Sequence, residues 1–374
     1  MLTVLIIGGY GTFGGRLCDL LADEPRLTLI VAGRSLAKAE TFCRRPSRAR
    51  LVAARFDRSA DVAAQVTALK PDIVVDASGP FQAYGDDLYA VVKAAFAERA
   101  DYIDLADSPA FVRGIGAHDD AGRQAGCFAL AGASSFPVLT SAAVRELAAG
   151  LACVDKIVAG IAPSPHASVG MNVIRAIASY AGQPVELTRG GVKTTALGLV
   201  DSQTRTISVP GRAPLRPTRF ALVEVPDLTL LADVWPEVQE VWMGAGPTPA
   251  LLHRVLWAAA QLVHWRILPS LVPIAPLMNW VTNHVRWGPH RGGMFVEVAG
   301  VDGAGVPVIR RWHMIAEGDS GPLIPSMAVE IIVRRCLDGE RPMPGARPCD
   351  KEIALADYEC AFFARGIASA VVPV

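Results

Sequence analysis

A chain of 374 residues, 51% hydrophobic and 19% charged, holds enough apolar material for two folded domains and excludes a disordered protein. Lys plus Arg and Asp plus Glu balance at 36 each, so no net field draws the whole protein to nucleic acid or to anionic lipid. The seven cysteines (Cys18, Cys43, Cys127, Cys153, Cys336, Cys349 and Cys360) are odd in number, scattered and never spaced Cys-x-x-Cys, which argues against a disulfide framework and a zinc site.

From residue 1 to 132, short apolar runs alternate with segments of helical period, the pattern of βαβ units and a parallel sheet. Strands are expected at 2–7, 27–32, 51–57, 72–77, 102–105 and 127–131, and helices at 12–22, 36–43, 60–69, 85–99 and 117–125. Six strands and five crossovers make a Rossmann-type, doubly wound α/β domain. The N-terminus has no basic leader, and its apolar run enters a glycine turn directly, so it reads as a buried strand of a cytoplasmic protein. After 132 the rhythm changes. Helices at 137–149 and 171–181 alternate with β-like runs at 193–200, 219–225 and 294–300, and Asp302, Gly303 and Gly305 supply turn chemistry for a hairpin. The expected domains are 1–132, a mixed α+β substrate and dimerisation domain at 133–345, and a C-terminal helix at 346–374 packing back on the first domain.

The segment 251–287 carries Trp257, Trp265, Trp280 and Trp287 among Leu, Val, Ile and Ala. Pro269, Pro273 and Pro276 forbid one straight spanning helix, so two helices are expected. A buried hairpin or a subunit interface is the favoured reading; a membrane contact, or a lid over an apolar substrate, is the other.

Between the first strand and first helix runs "GGYGTFGG", Gly8 to Gly15. Gly9, Gly11 and Gly14 fit Gly-x-Gly-x-x-Gly, while Gly8, Gly11 and Gly14 fit Gly-x-x-Gly-x-x-Gly. A strand before and an amphipathic helix after supply the setting in which such a loop carries a pyrophosphate on backbone N–H groups, with Tyr10, Thr12 and Phe13 lining it. The second strand ends in "AGRS" rather than the acid that would hold a ribose diol, so Arg34, Ser35 and Lys38 favour the 2′-phosphate of NADP over NAD. Asp57 ends the third strand, positioned either to accept from an adenine amino group or to cap the next segment. The fourth strand delivers Ser78, Gly79 and Pro80 beside the nicotinamide ribose. Asp104 and Asp107 follow the fifth and Ser134 and Ser135 the sixth; Asp107 is read either as a cleft group or as a helix cap.

"GGYGTFGGRL", "VVDASGPFQAYG", "DYIDLAD", "GASSFP" and "GDSGPLIPSMAVEIIVRRCLDG" together resemble the saccharopine dehydrogenase-like oxidoreductases. The resemblance implies an NAD(P)-binding Rossmann domain, a mixed second domain and a homodimer. It carries the phosphate-loop role to Gly8, Gly11 and Gly14 and the cleft role to Ser78, Gly79 and Pro80. Hydride transfer to or from a C=N or C=O group of a small molecule is the expected reaction; an NADPH-binding regulatory or lipid-associated protein without turnover is the alternative.

Such chemistry needs a group that polarises the substrate or hands over a proton. Arg291 and His290, in "HRGGM", are the second-domain candidates, with Asp107 as the carboxylic one; Arg310, Arg311, His313 and His166 are outsiders. Tyr89 and Lys93 have the Tyr-x-x-x-Lys spacing of short-chain dehydrogenases, but follow the fourth strand rather than the fifth, so Tyr89 reads as a packing residue.

Overall fold

The computed structural model describes residues 1–82, 84–85, 87–247, 250–284 and 286–373. Asp86, in the helix expected at 85–99, and Val285, in the Trp-rich segment, lie outside the described residues. Two compact units are present, one made of Met1–Val138 and Leu323–Ile353, the other of Leu139–Pro322 and Ala354–Val374.

The first unit opens with β1 (Leu2–Ile7), α1 (Thr12–Leu21), β2 (Leu27–Gly33), α2 (Leu36–Cys43), β3 (Arg50–Arg55), α3 (Val62–Leu69) and β4 (Ile73–Asp76). It continues with α4 (Ala90–Ala97), β5 (Asp101–Asp104), α5 (Pro109–Gly114), α6 (Asp119–Ala125) and β6 (Phe128–Ala131). β1 pairs in parallel with β2 on one side and β4 on the other. The chain therefore reverses its winding between β1 and β4, and the crevice outside their carboxyl ends is where an open α/β sheet takes its ligand. Val4, Leu5 and Ile6 are fully buried because helices cover both faces of the sheet, which is why the strand is continuously apolar. Helix α4 starts later than its apolar pattern: the Asp87 carboxylate accepts the Tyr89 N–H at 3.3 Å and holds the preceding residues in a turn. Helix α5 was not expected; Ser108 caps it by accepting the Phe111 N–H, and Pro109 occupies its first turn.

The second unit contains α7 (Thr140–Ala148), β7 (Leu151–Ala162), α8 (Met171–Tyr180), β8 (Pro184–Arg189), β9 (Val192–Leu197), β10 (Ser202–Arg205), β11 (Thr218–Leu222), α9 (Asp227–Val234) and β12 (Glu240–Ala245). After these come α10 (Ala250–His264), α11 (Ala275–His284), β13 (Arg291–Asp302) and β14 (Pro307–Glu317). β7 pairs in parallel with β12 and antiparallel with β13, so the sheet is mixed. β13 and β14 form the expected hairpin, closed by Asp302, whose carboxylate accepts the N–H groups of Ala304 and Val306 at 2.9 Å each. The Trp-rich segment forms two helices, but the expected burial of its large side chains within the chain does not occur. Of α10 only His253, Ala260 and Val263 are buried, and of α11 only Ala275.

The chain then returns to the first unit as α12 (Ile324–Leu337) and β15 (Gly345–Pro348) before ending in α13 (Leu355–Phe363) and β16 (Ala368–Val372). On α12, the Ser326 hydroxyl donates to the Phe13 carbonyl at 3.1 Å, and Arg334 donates to the Leu20 carbonyl at 2.8 Å and to Asp23 at 2.7 Å, fastening it along α1. β15 pairs in parallel with β6, giving a seven-stranded sheet in the order β15-β6-β5-β4-β1-β2-β3 among the described residues. The domain boundaries drawn from sequence therefore need two corrections. Residues 323–345 belong with the dinucleotide-type unit rather than the second domain, because the apolar face of α12 is buried against α1. Beyond 346, β15 does join the first sheet, whereas α13 and β16 belong to the second unit, β16 pairing with β14.

Candidate dinucleotide site

The glycine loop leaves β1 through Gly8, whose φ of +81° and whose added Cβ, 2.8 Å from the Ala77 carbonyl oxygen, admit only glycine. The Gly11 N–H donates to the Gly8 carbonyl at 2.8 Å, closing the turn. A Cβ on Gly14 would stand 2.3 Å from the same carbonyl oxygen, so the close approach of α1 to the loop requires hydrogen there. Gly11 is exposed and precedes α1 as its N-cap, with no side chain capping the helix and no acid in the first turn. That leaves the N-terminus of α1, with its partial positive charge, available to a phosphate, and the loop fits a dinucleotide pyrophosphate. Tyr10 folds back: a Cβ on Gly33 would meet its ring at 2.6 Å, and its hydroxyl accepts the Ser35 N–H at 3.0 Å. Thr12 and Phe13 lie half-buried in the first turn of α1.

At the end of β2, Arg34 is exposed, Ser35 caps α2 by accepting the Lys38 N–H at 3.4 Å, and Lys38 is exposed one turn on. Asp57 acts as a local cap: its carboxylate accepts the Ser59 N–H at 3.0 Å, and its backbone is bracketed by Gln65. The neighbouring Arg58, which the sequence reading passed over, lies with its guanidinium carbon 3.0 Å from the ring centre of Tyr84 and donates to Ser78 Oγ at 3.3 Å. Burial lowers its pKa, with the charge of Arg34 acting the same way and Asp76 opposing, so the two guanidinium groups lie within electrostatic reach of each other. Ser78 donates to Asp76 Oδ1 at 2.6 Å, and the Tyr84 hydroxyl donates to the other oxygen of the same carboxylate. Asp76 is wholly buried at the end of β4; burial raises its pKa, and the Arg58 charge works against that. These contacts shape the loop that carries Ser78, Gly79 and Pro80, all half-buried, at the carboxyl edge of the sheet. The one available sequence signal was an arginine directly after a strand end, as at Arg34.

Asp104, wholly buried, accepts the N–H groups of Ala106 at 2.9 Å and Gly132 at 2.8 Å, tying the ends of β5 and β6 together. Burial outweighs those donors and pushes its pKa up to about 7. Asp107 accepts from Gln82 at 3.0 Å and is raised by burial; the helix-cap role belongs to Ser108. Ser135 is buried in the turn after β6, and the Ser134 N–H donates to the Gly132 carbonyl at 2.7 Å. Tyr89 donates to the Phe111 carbonyl at 2.8 Å and packs on the Phe111 ring, while Lys93 pairs with Asp87, so neither forms a Tyr–Lys couple.

The second-unit candidates are held locally. Arg291 donates to Glu317 at 3.0 Å and to the Ala213 carbonyl; His290 packs against His166, the rings tilted by 33° with centres 4.7 Å apart, and lies 3.5 Å from Asp319. Arg310 donates to the carbonyls of Leu147 and Ala149, Arg311 pairs with Glu297, and His313 hydrogen-bonds the backbone of Ser208, burial lowering its pKa. Among the described residues no cluster of three or more His, Cys, Asp or Glu could hold a metal ion.

The topology and loop define a nicotinamide-dinucleotide-binding unit, and the comparisons agree. Residues 4–130 match the family model for the saccharopine dehydrogenase NADP binding domain, which supports an NAD(P)-dependent oxidoreductase. The apo saccharopine dehydrogenase (L-Glu forming) of Saccharomyces cerevisiae shares its fold, with a TM-score of 0.67 and 15% identity over 100% of both chains. The WlbA (WbpB) dehydrogenase of Thermus thermophilus in complex with NAD and α-ketoglutarate is more distant, with a TM-score of 0.40 and 11% identity over 92% of this chain and 90% of that one. GenD2 from gentamicin A biosynthesis, in complex with NAD, also has a TM-score of 0.40, with 14% identity over 100% of this chain and 97% of that one. No curated protein matches the sequence.

Proposed function

We propose that the protein moves hydride between NADP(H) and a C=N or C=O group of a small-molecule substrate. The observation that carries the cofactor choice is the end of β2, where Arg34 is exposed and Ser35 and Lys38 begin α2. A ribose diol would find no carboxylate in "AGRS", whereas a 2′-phosphate would meet cations and a hydroxyl. Fluorescence titration tests it: NADPH should bind more tightly than NADH, and equal affinities would remove the claim.

In this reading the chain's own residues bind, orient and protonate. Gly8, Gly9, Gly11 and Gly14 present backbone to the pyrophosphate, and Ser78 to Pro80 border the nicotinamide ribose. The bound nicotinamide supplies or receives the hydride. Asp107, kept protonated to higher pH by burial, is the candidate proton donor. The second reading is an NADPH-binding protein without turnover. It is favoured by Arg291, Arg310 and His313 each holding structural partners already. Incubating NADPH with aldehydes, ketones and keto-acid–amine mixtures separates the two: oxidation of the cofactor supports the enzyme, and tight binding without oxidation supports the second reading.

A further inference from the structure

Helix α11 has its amphipathic faces reversed. Two of its polar residues turn toward the protein: the Asn283 carboxamide accepts the Val169 N–H at 3.0 Å, and the side-chain amides of Asn279 and Asn283 both donate to the Val169 carbonyl at 3.0 Å. Its apolar residues turn outward, with Leu277 60% and Trp280 57% exposed. The connection before it and Trp287 beyond it behave alike, Trp265, Ile267 and Trp287 being more than 60% exposed at 63%, 64% and 64%. Helix α10 sets Ala260 against Gly182 and leaves Leu251 and Val255 outside. A helix that spends asparagines on its own protein and presents tryptophan and leucine to the outside is built to meet another apolar phase.

Charge selects that phase. Between Glu240 and Glu297 the sequence contains no Asp or Glu, while Arg254, Arg266 and Arg286 are exposed on the same segment. A second copy docked through this face would set arginine against arginine across a two-fold axis with no carboxylate on the segment to pair them. An anionic lipid surface answers both properties at once: tryptophan settles at headgroup level, leucine and isoleucine reach the acyl boundary, and arginine meets phosphate. No helix among the described residues is long and apolar enough to cross a membrane, so the contact lies in the plane of the surface. We propose that α10, α11 and the connection between them form a peripheral membrane-binding element selective for anionic lipid.

The test uses the full chain and vesicles of phosphatidylcholine with and without phosphatidylglycerol. The protein should float with phosphatidylglycerol-containing vesicles at low salt, with a blue shift of tryptophan emission, and should float at least tenfold less with phosphatidylcholine alone or in high salt. Leu277→Glu combined with Trp280→Glu should abolish flotation, and Arg254→Glu, Arg266→Glu and Arg286→Glu together should remove the lipid selectivity. Circular dichroism and NADPH titration of the same variants confirm that fold and cofactor site are intact, keeping this test separate from that of the proposed activity. No flotation of the wild type with anionic vesicles overturns the proposal, as does flotation that survives both variants. A dimer that Trp280→Glu dissociates, and that vesicles do not displace, assigns the face to a second copy and overturns it too.

Discussion

Two stretches of this chain are almost equally apolar and meet opposite fates. The strand β1 is enclosed: Val4, Leu5 and Ile6, with Leu17 of α1, are wholly shielded from solvent. The segment of α10 and α11 instead leaves Trp265, Ile267, Leu277, Trp280 and Trp287 outside. Composition does not separate the two. The partners of the polar residues do: in β1 the backbone is paired on both sides by parallel strands, whereas in α11 Asn279 and Asn283 face inward and hydrogen-bond the backbone N–H and carbonyl of Val169. Hydrophobic residues follow the face that the polar contacts leave over, and here that face is outward.

The widest separation should appear in stability. Leu5→Ala, in a fully buried site, should cost about 2–5 kcal/mol in urea unfolding, because transfer and cavity costs add; a loss below about 1 kcal/mol would mean the sheet is less tightly enclosed than described. The enclosed edge should also reveal itself in pH. Asp104 has a folded pKa raised to about 7 from 3.8, so the native carboxyl keeps a proton that the unfolded one has released. It therefore subtracts stability as pH rises from about 4 to about 7, by roughly 1.4 kcal/mol per pH unit. Asp104→Asn keeps an acceptor for Ala106 and Gly132 and should flatten that slope in denaturant melts; an unchanged slope would show that another group is responsible.

A smaller effect is expected at the exposed rim of the enclosed unit. Arg34→Ala should weaken NADPH roughly tenfold, about 1.4 kcal/mol, and leave NADH unaffected; equal loss for both cofactors would show that Arg34 does not read the 2′ position. The smallest effect closes the comparison. Leu277→Ala, 60% exposed, should change stability by no more than about 0.5 kcal/mol. A loss comparable with that of Leu5→Ala would mean the outward face is covered in the folded state.

The first six strands were legible because each is a short apolar run bounded by turn residues, and the glycine loop because each glycine answers a local demand. Arg34, Ser35 and Lys38 were singled out from position, Arg34 directly following β2 and Lys38 lying in the first turn of α2. What escaped is tertiary. Nothing local marks α12 as a partner of α1: its buried residues suit any core, and only Ser326 and Arg334, reaching Phe13 and Leu20, settle which one. Asp76 and Tyr84, from the end of β4 and its following loop, and Arg58, from beyond β3, converge through loop geometry. The direction that Leu277 and Trp280 face was equally hidden, because period reveals that a helix has two faces and not which one is bare.

The placement of β15 beside β6 has a consequence for biosynthesis. The seventh strand of the first sheet emerges from the ribosome only after Leu139–Pro322, the larger part of the second unit, has been translated. Until then β6 is an open sheet edge and the α12-facing side of α1 is bare, with hundreds of residues between them and their covers. An unprotected parallel edge of this kind is a template for pairing with another nascent chain. The amino-terminal fragment Met1–Val138, cut at the apparent end of its own six-stranded pattern, is therefore a hazard of translational pausing rather than a minimal domain: it has the strands of a dinucleotide fold and lacks the closing strand and helix that keep it from aggregating.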